Sequence, residues 1–447
     1  MTGDAGAGDV EAGDAGKRER LGLYELVAIG IGGMVGGGIF SVLGLAIGEA
    51  GHAAPLAFAF GGVLALLTGH SYARLGLAFR SAGGSFSYME HAFAHRNFAS
   101  IGGWLLVVGY VGTLALYAYT FGVYGTAMLG SYGKAAWTPH ALQSAVLLAF
   151  LAINLYGVKA AGMTEVVIVL FKVAILGLFA VAGVVTIRED HALPLLDKGG
   201  AGVLVGAALI FVAYEGFELI PNAVHDMKDP ERDLPRGIVI SIAATIAIYL
   251  LVSLVAVGNL TPAEIVKYKE YALAVAAKPF FGEAGFLLIG LAALLSTASA
   301  INATLFGTAR LGMVMAEEET LPKVFSMRER TRNIPWVSLL LITAVTLVFV
   351  NTSDLAVIAS FASSVFLMIF ALINLSAFRL RRRIGIGWGL PVLGCALSAA
   401  SWLVLCGYLW RSDGRSLLWI AALYVVVALA ELLYSERRVV FRRARRE

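Results

Sequence analysis

Charged residues and cysteines are scarce in this sequence. Only 14% of its 447 residues are charged, whereas 59% are hydrophobic. The two cysteines, Cys395 and Cys406, would lie about 16 Å apart on one predicted helix, too far to pair with each other. We find no nucleotide-binding loop, catalytic triad or metal-ligand spacing, and the histidines are scattered. The sequence therefore argues against an enzyme, a cofactor and a metal site.

Long apolar segments make up most of the chain instead. At about 20 apolar residues per span, this composition is typical of a helical protein that crosses the bilayer many times. Because the loops are short except at 80–100, 260–283 and 314–335, no soluble signalling domain fits, and a membrane sensor is disfavoured. The twelve predicted spans are 24–50, 54–79, 101–129, 140–157, 163–187, 201–222, 236–259, 284–313, 336–352, 354–377, 390–410 and 416–435.

Both ends of the chain are predicted to be cytoplasmic tails. Residues 1–20 are rich in Gly, Ala and Asp, lack the apolar core of a secretory signal and are expected to be disordered. Residues 436–447 form a basic tail. With the amino terminus inside, the tails and even-numbered loops hold roughly 23 Lys and Arg residues, against roughly 8 opposite. In the multi-pass plasma-membrane protein that we expect, this bias favours both termini on the cytoplasmic side, and it explains most of the +4 net charge without nucleic acid.

The most informative segment is a glycine-rich run inside the first predicted span. Residues 30–38 contain six glycines in nine positions. Glycine runs weaken the hydrogen-bonded helix, and unwound backbone persists in a membrane only where it is buried in protein or lines a water-filled cavity. The run thus predicts an interrupted helix with a substrate or ion site near the midplane. The alternative is a small-residue helix-packing surface, which requires glycines only three or four residues apart.

A second interruption is predicted in the sixth span, where Glu215, Gly216, Glu218 and Pro221 break an apolar stretch. A charge at the centre of a span costs about 2.5–3.5 kcal/mol on insertion scales, so both carboxylates need partners or water. For Glu215, a simple hydrogen bond to a neighbouring helix end is the alternative. The two interrupted spans are five helices apart, an odd number, so the two units would have inverted topology. Paired broken helices of this kind indicate an inverted-repeat transporter.

The two interruptions also predict the chemistry of the ligand. Half-helix N-termini offer unpaired N–H groups and the positive end of the helix dipole, which suit a carboxylate. Half-helix C-termini offer free carbonyl groups, which suit an ammonium group or a cation. The combination favours a zwitterion, that is, an α-amino acid.

Lys172 lies in the fifth span, about eight residues from its cytoplasmic start and roughly 12 Å deep at helical rise. Snorkelling would have to stretch its side chain over that whole distance. Because burial favours the neutral form of an amine, such a lysine is predicted to gain and lose a proton near neutral pH. The alternative is a static lysine hydrogen-bonded to backbone carbonyls.

Four motifs resemble the amino acid–polyamine–organocation (APC) transporters. They are the glycine-rich run at 32–40, the Ser-Ala-Gly-Gly-Ser-Phe-Ser-Tyr segment at 81–88, the Phe-Val-Ala-Tyr-Glu-Gly-Phe-Glu segment at 211–218 and the charged segment at 228–236. The segments 272–280 and 299–304 are similar to the archaeal branch of broad-specificity amino acid–proton symporters. Together these motifs extend the resemblance over residues 20–435.

The resemblance implies an all-α polytopic membrane protein with twelve transmembrane helices and a LeuT-type fold. Ten core helices would occupy residues 21–380 as two inverted repeats, at about 21–190 and 200–380, with helices 1 and 6 broken. Two peripheral helices would occupy residues 388–435.

The resemblance also implies a substrate-binding set. Backbone amides of the first broken helix would receive the substrate carboxylate, and backbone carbonyls of both broken helices would face its amine. The amide set is Gly36, Gly37 and Gly38, and the carbonyl set is Met34, Val212 and Glu215.

A second set would couple transport to protons. By resemblance, Lys172 occupies the place of sodium in sodium-coupled relatives, facing the carbonyl of Gly32 and the hydroxyl of Ser299. Glu218 matches an acidic position assigned to proton sensing in some relatives. The archaeal branch would have uncharged residues at 215 and 218, whereas both are Glu here. The added carboxylates favour either cationic substrates or a second proton site.

These observations together predict a proton-coupled amino acid importer that works by alternating access in the lipid bilayer. Amino acids and protons are its expected partners, with no metal and no nucleic acid. An exchanger or a sodium symporter is the alternative among transporters, and a membrane-embedded enzyme or sensor is the alternative from another class.

Overall fold

The computed structural model describes residues 20–81, 83–93, 96–133, 135–157, 162–188, 194–329, 334–412 and 414–444. Within these ranges the regular structure is helical, apart from an isolated β-bridge between Leu21 and Met227. Of the two predicted tails, residues 1–19 and 445–447 lie outside the described residues. The α-helices are α1 (Leu23–Met34), α2 (Gly38–Ala50), α3 (Ala54–Phe79), α4 (Gly84–Ala92), α5 (Arg96–Leu129), α6 (Thr138–Tyr156), α7 (Gly162–Val184), α8 (Gly199–Leu209), α9 (Pro230–Asn259), α10 (Pro262–Tyr268), α11 (Ala272–Ala276), α12 (Lys278–Glu317), α13 (Trp336–Thr352), α14 (Leu355–Arg379), α15 (Arg381–Ile384), α16 (Gly389–Ser412) and α17 (Gly414–Ala444).

Nine helices in the described ranges are long and apolar enough to cross a membrane. One of the nine is the continuous segment Gly38–Phe79, in which the 3₁₀ turn Gly51–Ala53 connects α2 to α3. A bent pair, Gly199–Leu209 with Phe211–Asp226, would make a tenth span, and α1 and α13 are shorter apolar helices. The chain is therefore an all-helical, multi-span membrane protein, because helices satisfy their backbone hydrogen bonds without water.

The first predicted span is interrupted at its glycines. α1 ends at Met34, Val35 leaves the helical region at φ −81° and ψ 48°, and α2 begins at Gly38. Residues 34–47 are nevertheless all buried. The unwound backbone is thus enclosed by protein, the setting in which a membrane tolerates it.

The sixth predicted span is interrupted as well. α8 ends at Leu209, a 3₁₀ turn follows at Phe211–Tyr214, and the chain resumes as a 3₁₀ helix over Phe217–Asp226, bent by 53° from α8. Between the two halves Gly216 has φ 129°, a value that favours glycine. The second half is 3₁₀ rather than α-helical, and it contains Pro221.

Close helix packing brings the two interruptions together at the centre of the fold. α9 packs against both α1 and α3, α12 packs against α5, and α14 packs against α5 and α16. Gly30 of α1 lies against Ser241 of α9, where a Cβ atom would come within 2.5 Å of the serine oxygen. Small residues on α1 therefore let α9 approach its backbone, as small residues do in membrane helix pairs.

Two of the long predicted loops contain short helices. α4 lies within 80–100, and α10 and α11 lie within 260–283, where residues 272–277 are buried and α11 packs against α2. α12 is kinked at Gly282 (φ 60°), just before the predicted span 284–313. α17 continues to Ala444, whereas the last predicted span ends at 435. The span was predicted from its apolar residues, and the helix extends past them into a basic segment.

Candidate functional site

The two interrupted spans touch through their glycines. A Cβ atom on Gly216 would lie 2.5 Å from the carbonyl carbon of Gly33, and one on Gly33 would lie 2.8 Å from the Cα of Gly216. Gly38 meets the second span in the same way, since its Cβ would lie 2.8 Å from the Cα of Ala213. Residues 206–218 are all buried. The interruptions therefore form one enclosed region in which two backbones are in direct contact.

The amides of the first interruption form a compact group of donors. Gly36, Gly37 and Gly38 are buried. Among the residues that the structure describes, none supplies an acceptor for their N–H groups. They lie at the N-terminus of the 13-residue helix α2, where Gly37 is the N-cap and Gly38 the first helical residue, and the helix dipole adds positive potential there. Tyr117 covers this group, since a Cβ on Gly37 would lie 2.6 Å from its ring. The region can bind a small anionic group.

Hydroxyl groups from other helices hold the carbonyls around the first interruption. Tyr249 Oη of α9 lies 2.6 Å from the carbonyl oxygen of Met34 and 2.8 Å from that of Ala213, so one proton is shared between the two spans. Ser296 Oγ of α12 lies 2.5 Å from the oxygen of Val35 and 3.0 Å from that of Gly36. These contacts fix the unwound backbone without closing it into a helix.

Val212 and its neighbours are also held by a side chain. The N–H of Val212 donates to Ser363 Oγ of α14 at 3.0 Å, and this hydroxyl donates to the carbonyl of Leu209 at 2.8 Å. The carbonyl of Val212 accepts the N–H of Glu215 at 3.1 Å. One of its two lone-pair positions is therefore used within the turn, which leaves the other for a ligand.

Lys172 reaches the first interruption from α7. Its side chain is fully buried, and Nζ donates to the carbonyl of Gly32 at 2.9 Å. The structure thus brings the predicted Lys172 and Gly32 together. Ser299 is half-buried on α12, three residues after Ser296, and its predicted contact with the amine stays a prediction.

The two carboxylates of the second interruption face α5. Thr113 Oγ1 donates to Oε2 of Glu215. Glu218 accepts the N–H of Gly216 at 2.7 Å through Oε2, and Tyr110 Oη donates to its Oε1 at 3.4 Å. Both side chains are buried. Both carboxyl groups therefore have the hydrogen-bond partners that such groups need inside a membrane. The partner of Glu215, Thr113, lies within α5 and not at a helix end.

Several side chains of this site were not predicted from the sequence: Tyr110, Thr113, Tyr117, Tyr249, Ser296 and Ser363. Their spacing carries a signal. Tyr110, Thr113 and Tyr117 are three and four residues apart, which places them on one face of α5. On α9, Ser241, Thr245, Tyr249 and Ser253 recur every four residues, and all are fully buried. Polar residues that recur every three or four positions in an apolar span indicate a helix face that packs against exposed backbone groups of another helix.

The arrangement places backbone donors at residues 36–38 and backbone acceptors at Met34 and Val212 in one buried region. Within the described ranges, no group of three or more His, Cys, Asp and Glu side chains could hold a metal ion.

The chain is similar to known proteins along most of its length. The family pattern described as amino acid permease matches residues 21–429. An uncharacterized protein of Methanocaldococcus jannaschii is 32% identical over 94% of this chain and 96% of its own length. The inner membrane transport protein YbaT of Escherichia coli is 30% identical over 94% of this chain and 97% of its own.

A solved structure has the same fold. It is a mutant of the manganese transporter of Eremococcus coleocola, with a TM-score of 0.57 over 93% of this chain and 94% of that one. Its sequence identity is 11%, so the likeness extends to the fold alone.

Proposed function

Since the chain belongs to the amino acid permease family of the APC superfamily and is a membrane transporter rather than an enzyme, we propose that it imports amino acids together with protons. The observation that carries this proposal is the buried amine of Lys172, which donates to Gly32 in the same span as the glycine amides. The proposed cation contact and the proposed carboxylate amides thus lie on the two sides of one interruption, because Gly32 is in the last turn of α1 and Gly36 follows its end. A change in the contact of Lys172 would therefore move the glycine amides, and substrate bound at the amides would affect the lysine contact.

The proposed substrate is an α-amino acid. Its carboxylate would accept from the amides of Gly36, Gly37 and Gly38, and its ammonium group would donate to the carbonyls of Met34, Val212 and Glu215. Glu215 and Glu218 are buried in the same span as two of these carbonyls, and their carboxyl oxygens would add acceptors beside the proposed amine position.

The proposed coupling ion is a proton carried by Lys172. A protonated amine supplies a unit charge and three donors, much as a sodium ion would, and it is tethered to α7. Bound to Gly32, and by expectation to Ser299, it would hold α7 against α1 and favour substrate binding. Loss of the proton toward the cytoplasm would loosen this contact and release the substrate. Glu218 is the proposed second proton site.

We propose a topology to match. If α1 and α2 together form one broken span, α8 with Phe211–Asp226 another, and α13 a short one, the chain crosses the membrane twelve times. The first ten spans would be the two inverted repeats, and α16 and α17 the peripheral pair. Both termini would lie in the cytoplasm, because Lys and Arg are concentrated on that side.

Transport into proteoliposomes tests the function. The purified protein is assayed with a panel of labelled amino acids, with and without an inward proton gradient, and with sodium or choline outside at constant pH. We expect accumulation of at least one amino acid that rises with the proton gradient and is indifferent to sodium. A tenfold stimulation by sodium would contradict the coupling proposal.

A second assay separates import from exchange. The liposomes are loaded with unlabelled substrate or left empty. Uptake that requires internal substrate in every condition would identify an exchanger, and uptake into empty liposomes would identify a symporter. If no amino acid in the panel moves in any arm, the substrate class is wrong.

A further inference from the structure

One hydroxyl group supplies both missing partners at the end of α8. Ser363 Oγ accepts the N–H of Val212 at 3.0 Å and donates to the carbonyl of Leu209 at 2.8 Å. The serine is fully buried on α14. An interrupted helix leaves such backbone groups without an intrahelical partner, and inside a membrane no water is available to form hydrogen bonds with them.

This role is unusual among the serines of the same helix. Ser360 and Ser376 are also buried, but they donate to carbonyls four residues earlier in α14 itself, those of Ala356 and Leu372. That local bond is the ordinary choice for a serine in an apolar helix. Ser363 instead crosses to α8.

The next residue, Ser364, faces the opposite way. The indole Nε1–H of Trp402 on α16 donates to Ser364 Oγ at 3.1 Å, and the hydroxyl of Tyr424 on α17 lies 3.0 Å from the same oxygen. Consecutive residues on a helix point about 100° apart, so two neighbouring hydroxyls can bind to different partners. One turn of α14 is thus bonded to the broken span on one side and to α16 and α17 on the other.

We propose that Ser363 is the positioning residue of the second interruption, and that Ser364 transmits to it the position of α16 and α17. The positions of α16 and α17 then influence the backbone of the second interruption, in addition to covering the core. Ser363 holds Val212, which lies three residues before Glu215, so a small shift of α14 displaces the carbonyls proposed for the substrate amine. The consequence for transport depends on the proposed function, whereas the mechanical link does not.

Hydrogen–deuterium exchange tests the link without any substrate. Backbone exchange of residues 206–218 is measured by mass spectrometry on the full-length protein in lipid nanodiscs, for wild type, Ser363→Ala, Ser363→Thr and Ser360→Ala. We expect Ser363→Ala to raise exchange in this segment about tenfold, as for one lost buried hydrogen bond. Ser363→Thr keeps the hydroxyl and should restore wild-type exchange, and Ser360→Ala should not change it.

The peripheral half of the proposal has its own variants. Trp402→Phe and Tyr424→Phe each remove one polar group and keep a ring, so both should fold even if Ser363→Ala does not. We expect each to raise exchange at residues 206–218 roughly threefold, a fraction of the direct effect. Trp410→Phe, on an exposed residue of α16, is the matched control and should have none.

The outcomes are distinct. Wild-type exchange in Ser363→Ala would remove the positioning role, and wild-type exchange in both Trp402→Phe and Tyr424→Phe would remove the peripheral link. In transport assays the same three variants should raise KM more than they lower the maximal rate. Absence of amino acid transport by the wild type would contradict the proposed function and leave the exchange results as they are.

Discussion

Gly33 and Gly216 lie backbone against backbone where the two interrupted spans cross. A Cβ atom on Gly216 would be 2.5 Å from the carbonyl carbon of Gly33 and 2.6 Å from the amide nitrogen of Met34. Real Cβ atoms do not come so close to backbone, and the φ of 129° at Gly216 already disfavours any side chain. The contact therefore depends on glycine at both positions.

We predict that Gly216→Ala separates the two spans and abolishes transport. Backbone strain at such a position costs about 1–3 kcal/mol, and the clash adds to it because both neighbours are backbone atoms. Gly177→Ala is the control, since a Cβ there meets nothing within 4 Å on an exposed face of α7. Transport rates and melting temperatures of the two variants check this. Normal transport by Gly216→Ala would show that the contact is dispensable.

The interruptions could be predicted because glycine runs and charged side chains destabilise a membrane helix whichever side of the helix they are on. A glycine run at 30–38 weakens any helix, and Glu215, Glu218 and Lys172 in apolar segments need polar partners whatever their orientation. The predicted residues Lys172 and Gly32 do lie together. Their roles in transport stay predictions.

The hydroxyl contacts could not be predicted because their residue types fit two environments equally well. Ser360 and Ser363 are three residues apart in one helix, yet one donates within α14 and the other to α8. Likewise, the sequence pointed to Ser299, whereas the hydroxyl that touches the unwound carbonyls belongs to Ser296, one turn earlier. The choice depends on the rotation of each helix against its neighbour, which only packing decides.

Tyr249 gives a second test of how the interruptions are joined. We predict that Tyr249→Phe folds but binds substrate less tightly, because it removes the hydroxyl shared by Met34 and Ala213 and keeps the ring. A hydrogen bond inside a membrane protein contributes about 0.6–2 kcal/mol. Tyr124→Phe is the control, since its hydroxyl donates to the carbonyl of Phe40 in α2, outside both interruptions. Thermal unfolding and substrate affinity of both variants are compared, and equal affinities would mean that the shared hydroxyl does not position the site.

Lys172 is the test of coupling. We predict that Lys172→Ala abolishes accumulation driven by a pH gradient, because no protonated amine then holds Gly32. Leu176→Ala is the control, since it removes a fully buried side chain one turn away on the same helix without removing a charge. Both variants should lose thermal stability, but only the first should lose proton-driven uptake. A Lys172→Ala protein that concentrates substrate normally would exclude the lysine from the mechanism.

The proposed binding of the substrate carboxylate by the glycine amides is tested with a substitution and with modified ligands. We predict that Gly37→Val prevents substrate binding, because its Cβ would lie 2.6 Å from the Tyr117 ring and 3.1 Å from Thr297 Cγ2. Gly307→Val on α12 is the control, since a Cβ there meets nothing within 4 Å. Methyl esters of amino acids should compete poorly with labelled substrate, because they lack the anion that the amides attract. Equal competition by a free amino acid and its ester would contradict the proposed carboxylate site.

The two glutamates are predicted to have different roles. If the Glu215 carboxylate faces the ligand, Glu215→Gln should weaken binding of arginine more than binding of alanine, by about 1–3 kcal/mol for a charged hydrogen bond to the cationic side chain. Thr113→Val is its control, since it removes the hydroxyl that donates to Glu215 and keeps the charge.

Glu218 is the proposed second proton site, and its carboxyl group accepts from the N–H of Gly216 and from the hydroxyl of Tyr110. Its substitution by Gln keeps an oxygen for the N–H of Gly216 and removes the titrating group. We therefore expect Glu218→Gln to flatten the pH dependence of binding for every substrate, with little change in the preference for arginine over alanine. Binding isotherms for both amino acids across the acidic to neutral range, measured on both Gln variants, separate the two roles. If both variants bind as the wild type does at every pH, the carboxylates serve only to pair α5 with the second interruption.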